Sequence, residues 1–301
     1  MVLTSTPNDK ARMIEDAAVK GRSLWDDART RLLRNKAAVF GLFLLGLLVL
    51  LAIIGPLLWV HDSTFIYRDR VQIGPTFDNL HLFGTDAQGR DLFARVLVGL
   101  RMSLMVGVVA TAVSLAIGVI WGATAGFVGG RIDQLMMRIV DVLYSLPFIF
   151  FVIILMVVFG RNIILIFVAI GAVEWLTMAR IVRGQTIALK GMEFVEAAQA
   201  AGVSQFSIIR RHIVPNVLGP VVVYVTLTIP VVILAESFLS FLGLGVQEPL
   251  TSLGNLISNG ARDMEIAPWT LIFPALTMMI TLFCFNFIGD GLRDAIDPKD
   301  R

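Results

Sequence analysis

Long apolar runs separated by short polar segments set the pattern of this chain. A helix needs about 20 apolar residues to cross a bilayer. Residues 37–60, 102–128, 142–160, 162–179, 217–246 and 267–289 read as six such spans. Four of the six carry no charged residue, whereas the fourth holds Glu174 and the fifth Glu236. Only a very short turn at Arg161 joins the third and fourth, which predicts antiparallel neighbours. The first run begins at Ala37, is long and lacks a small-residue cleavage site, so it reads as a retained span and not a signal peptide.

Between the fourth and fifth spans the pattern changes to a polar helical hairpin, residues 193–215. Glu193 and Glu196 suit the start of a short helix, where the dipole favours negative charge. The alanines that follow give high helix propensity with little bulk, so another protein can approach the backbone closely. Gly202 is placed to end that helix with φ > 0, and Ser204 to cap a second short helix whose length Pro215 limits. A hairpin of this kind, held between membrane helices, has the character of a docking element.

Charge then gives the orientation. Lys and Arg number eight in residues 1–36, two in 129–141, five in 180–216 and three in the C-terminal tail. The other side holds five in 61–101, one at Arg161 and one at Arg262. Eighteen against seven predicts that both termini and the hairpin face the cytoplasm. Residues 1–36 alternate charges with Ile14, Leu24, Trp25, Leu32 and Leu33, consistent with a helix on the membrane surface or with a solvated tail.

Composition agrees and excludes several classes. The 301 residues are 56% hydrophobic and 16% charged, and the mean hydropathy of +0.80 lies far above the soluble range. A net charge of +2 does not argue for nucleic acid. The single cysteine, Cys284, sits in an apolar run and excludes a disulfide framework and a cysteine metal site. None of the five lysines follows a glycine or precedes Ser/Thr, so there is no P-loop and no ATP hydrolysis by that route. There is no His-Glu-x-x-His, no serine precedes a glycine, and His61, His81 and His212 are scattered over loops without a metal pattern. No catalytic or metal-ligating set is expected.

Glu196-Ala197-Ala198, then Gly202, then Pro215 thirteen residues on, resembles the cytoplasmic EAA loop of ABC importer permeases. His212 departs from the aliphatic residue common there, but 211–216, Arg-His-Ile-Val-Pro-Asn, is similar to the peptide-permease form. Phe83-Gly84-Thr85-Asp86, Gly89-Arg90-Asp91 and Leu100-Arg101-Met102-Ser103-Leu104 resemble the entry to the second span in peptide and nickel permeases. The run 285–294 has the same affinity, and Gly21-Arg22-Ser23-Leu24-Trp25, 236–244 and 297–301 resemble the C-subunit branch of the oligopeptide permeases.

That resemblance implies an all-α polytopic subunit with six transmembrane helices in the type I ABC importer arrangement, in a bacterial inner membrane. Residues 1–36 would form a cytoplasmic segment, 37–101 the first span and an outer segment, 102–289 the permease core with its coupling loop 180–216, and 290–301 a cytoplasmic tail. Implied partners are a homologous B-type permease subunit, two ATPase subunits that carry ATP and magnesium, and an extracytoplasmic binding protein that delivers oligopeptide. This chain itself would bind no cofactor. Dipeptide, glutathione or nickel import is the alternative within the family, and a proton-driven transporter using Glu174 and Glu236 is the alternative outside it.

The implied coupling residues are Glu193, Glu196, Ala197, Ala198, Gly202 and Pro215. Glu236 is expected either on the translocation path or as a hydrogen-bonded residue between helices, since a charge inside a span must face a partner or water. Asn286 is a further path candidate whose default role is an interhelical hydrogen bond. Glu174 is expected to pair with Arg180 or Arg183, with substrate contact the lesser alternative, and Asp86, Arg90 and Asp91 to form an ion network at the outer mouth or a docking site for the binding protein.

Overall fold

The computed structural model describes residues 24–159 and 163–296. Ile14, Gly21-Arg22-Ser23, the Arg161 turn with Asn162, and the terminal Asp297-Pro298-Lys299-Asp300-Arg301 lie outside the described residues. The helices in chain order are α1 (Leu24–Arg34), α2 (Lys36–Leu58), α3 (Leu92–Val128), α4 (Gly130–Ser145), α5 (Phe148–Phe159), α6 (Ile163–Lys190), α7 (Glu193–Ala200), α8 (Gln205–Ile208), α9 (Val214–Phe241), α10 (Leu253–Asp263) and α11 (Trp269–Ile296).

Among the described residues, four stretches are long and apolar enough to cross a membrane by length and composition: α2, α3, the continuous Gln205–Phe241 and α11. They become five if Gly130–Ser145 and Ile149–Leu155, bent by 89°, count as one broken span. The expected six are therefore not matched one for one. The bend falls where 142–160 was expected to run straight: Leu146, ahead of Pro147, is extended at φ −78° and ψ 128°, because a following proline disfavours the helical region. The expected span 162–179 is the first part of α6, which continues unbroken to Lys190.

Helix ends follow local chemistry. Asn35 starts α2 by accepting from the N–H groups of Ala37 and Ala38 at 3.1 and 3.2 Å. Asp91 does the same for α3 through Ala94 N–H at 2.8 Å, so α3 begins ten residues before Met102 and reaches about 55 Å. Gly243, at φ +75°, ends α9 five residues short of Val246. Its N–H and that of Leu244 return to Ser240 and Leu239 at 3.0 and 2.8 Å, a Schellman stop.

The central packing unit is α3 against α6. Gly118, Gly122 and Gly126 form a small-residue stripe one helical turn apart on α3. A Cβ on Gly122 would lie 2.4 Å from the backbone oxygen of Ala179, and one on Gly118 2.5 Å from Met178 Cγ. Such close approach is how membrane helices gain dispersion contact when lipid offers no hydrophobic drive. The short helix α10 was hidden in the sequence between the fifth and sixth apolar runs. It buries Leu253 and Leu256 in a cluster with Leu92, Val96, Leu100 and Ile233, and its Gly260 lies close against the Thr270 backbone.

Candidate functional site

On the hairpin, α7 presents nearly its whole circumference. Glu193, Glu196, Ala197 and Gln199 are exposed, Ala198 is half-buried, and Val195 alone is fully buried. Val195 roots the hairpin in a core shared with Val119, Ala123, Phe127, Met178, Val182, Val217 and Val221 of α3, α6 and α9, together with Ile208 of α8 and Ile213 of the turn that follows it. Around this root the hairpin exposes Phe194 at 41% and Phe206 at 74%. Exposed aromatic surface on a polar loop is a protein-contacting composition.

Two devices fix the hairpin's shape. The first is a Schellman stop at Gly202, φ +76°, with Gly202 N–H on Gln199 O at 3.0 Å and Val203 N–H on Ala198 O at 3.1 Å. Ser204 then caps α8 by accepting from Ser207 N–H at 3.4 Å. The second device corrects the expectation that Pro215 limits this helix. The chain runs helical from Gln205 to Phe241, with Pro215 in the first turn of α9. Ahead of it lies a π turn, Ile209–Ile213, in which Val214 N–H reaches Ile209 O. A proline ring crowds the carbonyl four residues back, and widening the turn by one residue accommodates it. The second arm of the hairpin is thereby continuous with the long apolar helix α9.

Glu236 lies on α9, fully buried. Its Oε1 accepts from Ser240 Oγ and Ser252 Oγ, both at 2.7 Å, while Oε2 is buried with no protein partner. Ser252 also caps α10 through Asn255 N–H at 3.1 Å, and Leu253 N–H donates to Ser103 Oγ of α3 at 3.1 Å. Glu236 thus pins α10 to α9, the geometry of the interhelical alternative. Asn286 is exposed on α11, away from Glu236's buried cluster.

Glu174 departs from expectation. Arg180 pairs with Asp141 at 2.9 Å, and Arg183 grips Asp133 through two hydrogen bonds at 2.5 and 2.6 Å. Both partners sit on α4, and among the described residues neither arginine is left for Glu174.

At the outer mouth, the expected Asp86–Arg90–Asp91 network divides in two. Arg90 donates to Asp86 at 2.9 Å and to Glu248 at 2.8 Å, tying the segment before α3 to the α9–α10 loop. Glu248 was not singled out in the sequence; its partner lies 158 residues away. That hydrogen bond from Arg90 holds the Glu248 carboxyl below its ordinary 4.5. Asp91 instead accepts from Trp59 Nε1 at 3.1 Å and contacts His81 Nδ1 at 2.8 Å. The histidines that looked scattered are partly gathered: His61 stacks on His81 at 4.3 Å, and their ligand atoms with Asp91 lie within 4.8 Å of one another. All four ring nitrogens already have protein partners, in Tyr67, Asn79, Asp91 and Arg70.

Comparisons with known proteins follow this geometry. Residues 95–301 match the family model described as binding-protein-dependent transport system inner membrane component. Residues 23–79 match that of the N-terminal TM domain of oligopeptide transport permease C. The chain is 55% identical to the oligopeptide transport system permease protein OppC of Haemophilus influenzae, covering 97% of this chain and 94% of the relative. It is 57% identical to the OppC protein of Escherichia coli K12, covering 95% of each. The dipeptide transport system permease protein DppC of Bacillus subtilis is 45% identical over 97% of this chain and 91% of its own length. Among solved structures, an inward-facing chain of the MetNI methionine ABC transporter superposes with a TM-score of 0.53 at 20% identity, covering 68% of this chain and 96% of that one. That likeness speaks to the fold.

Proposed function

Because this chain belongs to the family of binding-protein-dependent transport system inner membrane components, we propose that it works as the transmembrane permease subunit of an ATP-driven oligopeptide importer in the bacterial inner membrane. The oligopeptide substrate follows from near full-length identity to OppC proteins, and dipeptide import is the nearest alternative. Its partners are a homologous permease subunit, two ATPase subunits and an extracytoplasmic peptide-binding protein. The ATP and magnesium chemistry belongs to the ATPases, and this chain is non-catalytic.

The observation that carries the coupling role is the exposed hairpin rooted through Val195, Ile208 and Ile213 in the core of α3, α6 and α9. An ATPase that grips Glu193, Glu196, Ala197 and Ala198 gains a rigid lever, since Gly202 fixes the turn and the helix runs through Pro215 into the membrane. Closure of the ATPase pair on ATP draws two such levers together and opens the cavity outward. Both termini lie in the cytoplasm with the hairpin, a reading supported by the Lys/Arg balance. Glu236 holds the subunit together, and Asn286, exposed on α11, remains available to a neighbouring subunit or the path.

Gentle detergent extraction of the tagged chain, with mass spectrometry of what co-purifies, tests this. A second permease and two P-loop ATPases are expected, and reconstituted together with the binding protein they should take up peptide on ATP. A chain that purifies alone and moves solute on a proton gradient would overturn the importer assignment.

A further inference from the structure

Glu174 is the one charged side chain lining a cavity of about 450 Å³ between α6 and the break that separates α4 from α5. Its other walls are mostly apolar and aromatic, with Tyr144, Pro147, Phe151 and Trp175 among them and Thr177 adding a hydroxyl. The walls are fixed from behind. Trp175 and Leu176 belong to a buried cluster with Val140 and Ala179, and Trp175 packs edge-on against Trp121 at 5.2 Å. Trp121 is itself tied to Met136 O at 3.2 Å.

Among the described residues, the two arginines that follow Glu174 on α6 are both engaged elsewhere. Arg180 lies on the Tyr144 ring at 4.3 Å and bonds Asp141, and Arg183 is held by Asp133. Among the described residues, Glu174 has neither an ion pair nor a hydrogen bond. A carboxylate inside a membrane helix is costly unless it meets a cation or water, and such residues mark substrate paths. Ordinary structural pairing has been designed away from this one, because α4 supplies two aspartates to take both arginines. The cavity also lies within the volume range of about 300–1,000 Å³ usual for small-ligand sites, and is concave, unlike a helix face awaiting another helix.

We infer that this cavity receives a primary ammonium group of the transported peptide, Glu174 accepting its charge while the aromatic walls hold the adjoining side chain. A primary ammonium is the cation an unblocked peptide offers at any N-terminal residue but proline, or on lysine, and aromatic faces favour it further. The inference rests on the peptide-importer function proposed above.

The test uses the complete importer in proteoliposomes with its binding protein. Three peptides are compared: a lysine-free tripeptide with a free amine, its N-acetylated form, and an N-acetylated form containing lysine. For each, uptake by Glu174→Gln is divided by uptake by the unaltered importer, so the binding protein's own preference cancels. The ratio should fall about tenfold or more for the free amine, as when one member of a desolvated charge pair is removed, and stay near one for the N-acetylated lysine-free peptide. The lysine-containing form separates the two ammonium sources: a reduced ratio admits side chains, an unchanged one restricts the site to the N-terminus. Glu174→Asp should recover part of the free-amine uptake.

A free-amine peptide with a benzophenone on its first residue should crosslink to 143–151 or 172–177, about tenfold less in Glu174→Gln. Equal loss for all three peptides would assign Glu174 to subunit packing and overturn the inference. So would undiminished uptake with an unchanged crosslink. Absence of ATP-dependent uptake by the unaltered importer would instead defeat the importer assignment itself.

Discussion

Gly202 offers the sharpest test of the lever. Its φ of +76° is left-handed, and a Cβ there would meet nothing within 4 Å. A side chain therefore introduces backbone strain alone, without a clash. That strain is roughly 1–2 kcal/mol for an ordinary L-residue, least for Asn and Asp, and worst for a β-branched one. A cost of 1–2 kcal/mol shifts the balance between the native turn and its alternatives by about 5–30-fold. What is lost is the pair of bonds from Gly202 and Val203 N–H to Gln199 and Ala198, hence the angle between α7 and α8. Val195, Ile208 and Ile213 stay buried on either side, so the fold should survive. The assay is peptide taken up per ATP hydrolysed in proteoliposomes, with membrane yield as the control. Gly202→Asn should approach the parent, Gly202→Ala should fall below it and Gly202→Val lowest, all at parental yield. Gly202→Asp shares the backbone tolerance of Asn but adds a negative charge to a hairpin that already carries Glu193 and Glu196, so its loss beyond Asn reports on the electrostatics of the hairpin. Parental coupling in Gly202→Val, or Asn as damaging as Val, would refute the reasoning.

Further outcomes follow from the packing and the outer mouth. Glu236→Gln retains the oxygen that accepts from Ser240 and Ser252 and should cost under about 1.5 kcal/mol. Glu236→Ala, which strands two buried hydroxyls and leaves a cavity, should cost about 2–4 kcal/mol in thermal unfolding of the purified complex. If Glu236→Gln stops uptake in a folded complex, the charge serves transport and the latch account fails. Gly122→Ala forces a methyl to 2.4 Å from a carbonyl oxygen and should destabilise by about 1–3 kcal/mol. Gly46→Ala, with nothing within 4 Å, should not destabilise; equal melting of the two variants would contradict the seam. Arg90 holds the Glu248 carboxyl below 4.5, so its contribution is complete above that value and is lost as outer pH falls through the lower folded value. Hydrogen exchange in 243–252 should accelerate over that acid range in the parent, and Arg90→Gln should remove the dependence.

Local chemistry made much of this molecule legible from the sequence. The hairpin stop needed only Gly202 in its place after an alanine run, and the cap needed only Ser204 before Gln205. Both are decided within a few residues, where propensity and turn geometry act. Four of the six expected membrane spans were legible for the same reason, since length and apolarity are summed along the chain. Pro215 was misjudged because a proline's effect depends on whether the preceding turn can widen, and the π turn Ile209–Ile213 does so with Ile213 locked into the core. The carboxylates show where such reading stops. Glu174 stood near Arg180 and Arg183 in sequence, on the same helix, and pairing looked the economical outcome. Which anion wins an arginine, however, depends on how α4 lies across α6. Asp133 and Asp141 are 50 and 39 residues from their partners, and they reach the arginines from a helix that starts after the left-handed Gly129. Glu236 is the converse. Its satisfying hydroxyl, Ser252, belongs to a helix that no hydrophobic run announced, because α10 is small and is buried by close approach of Gly254 to Ser237 and Gly260 to Thr270. The two acidic residues looked alike as isolated charges in apolar runs. Tertiary packing separates them, giving one a hydrogen-bonded place between helices and leaving the other unpaired in a cavity.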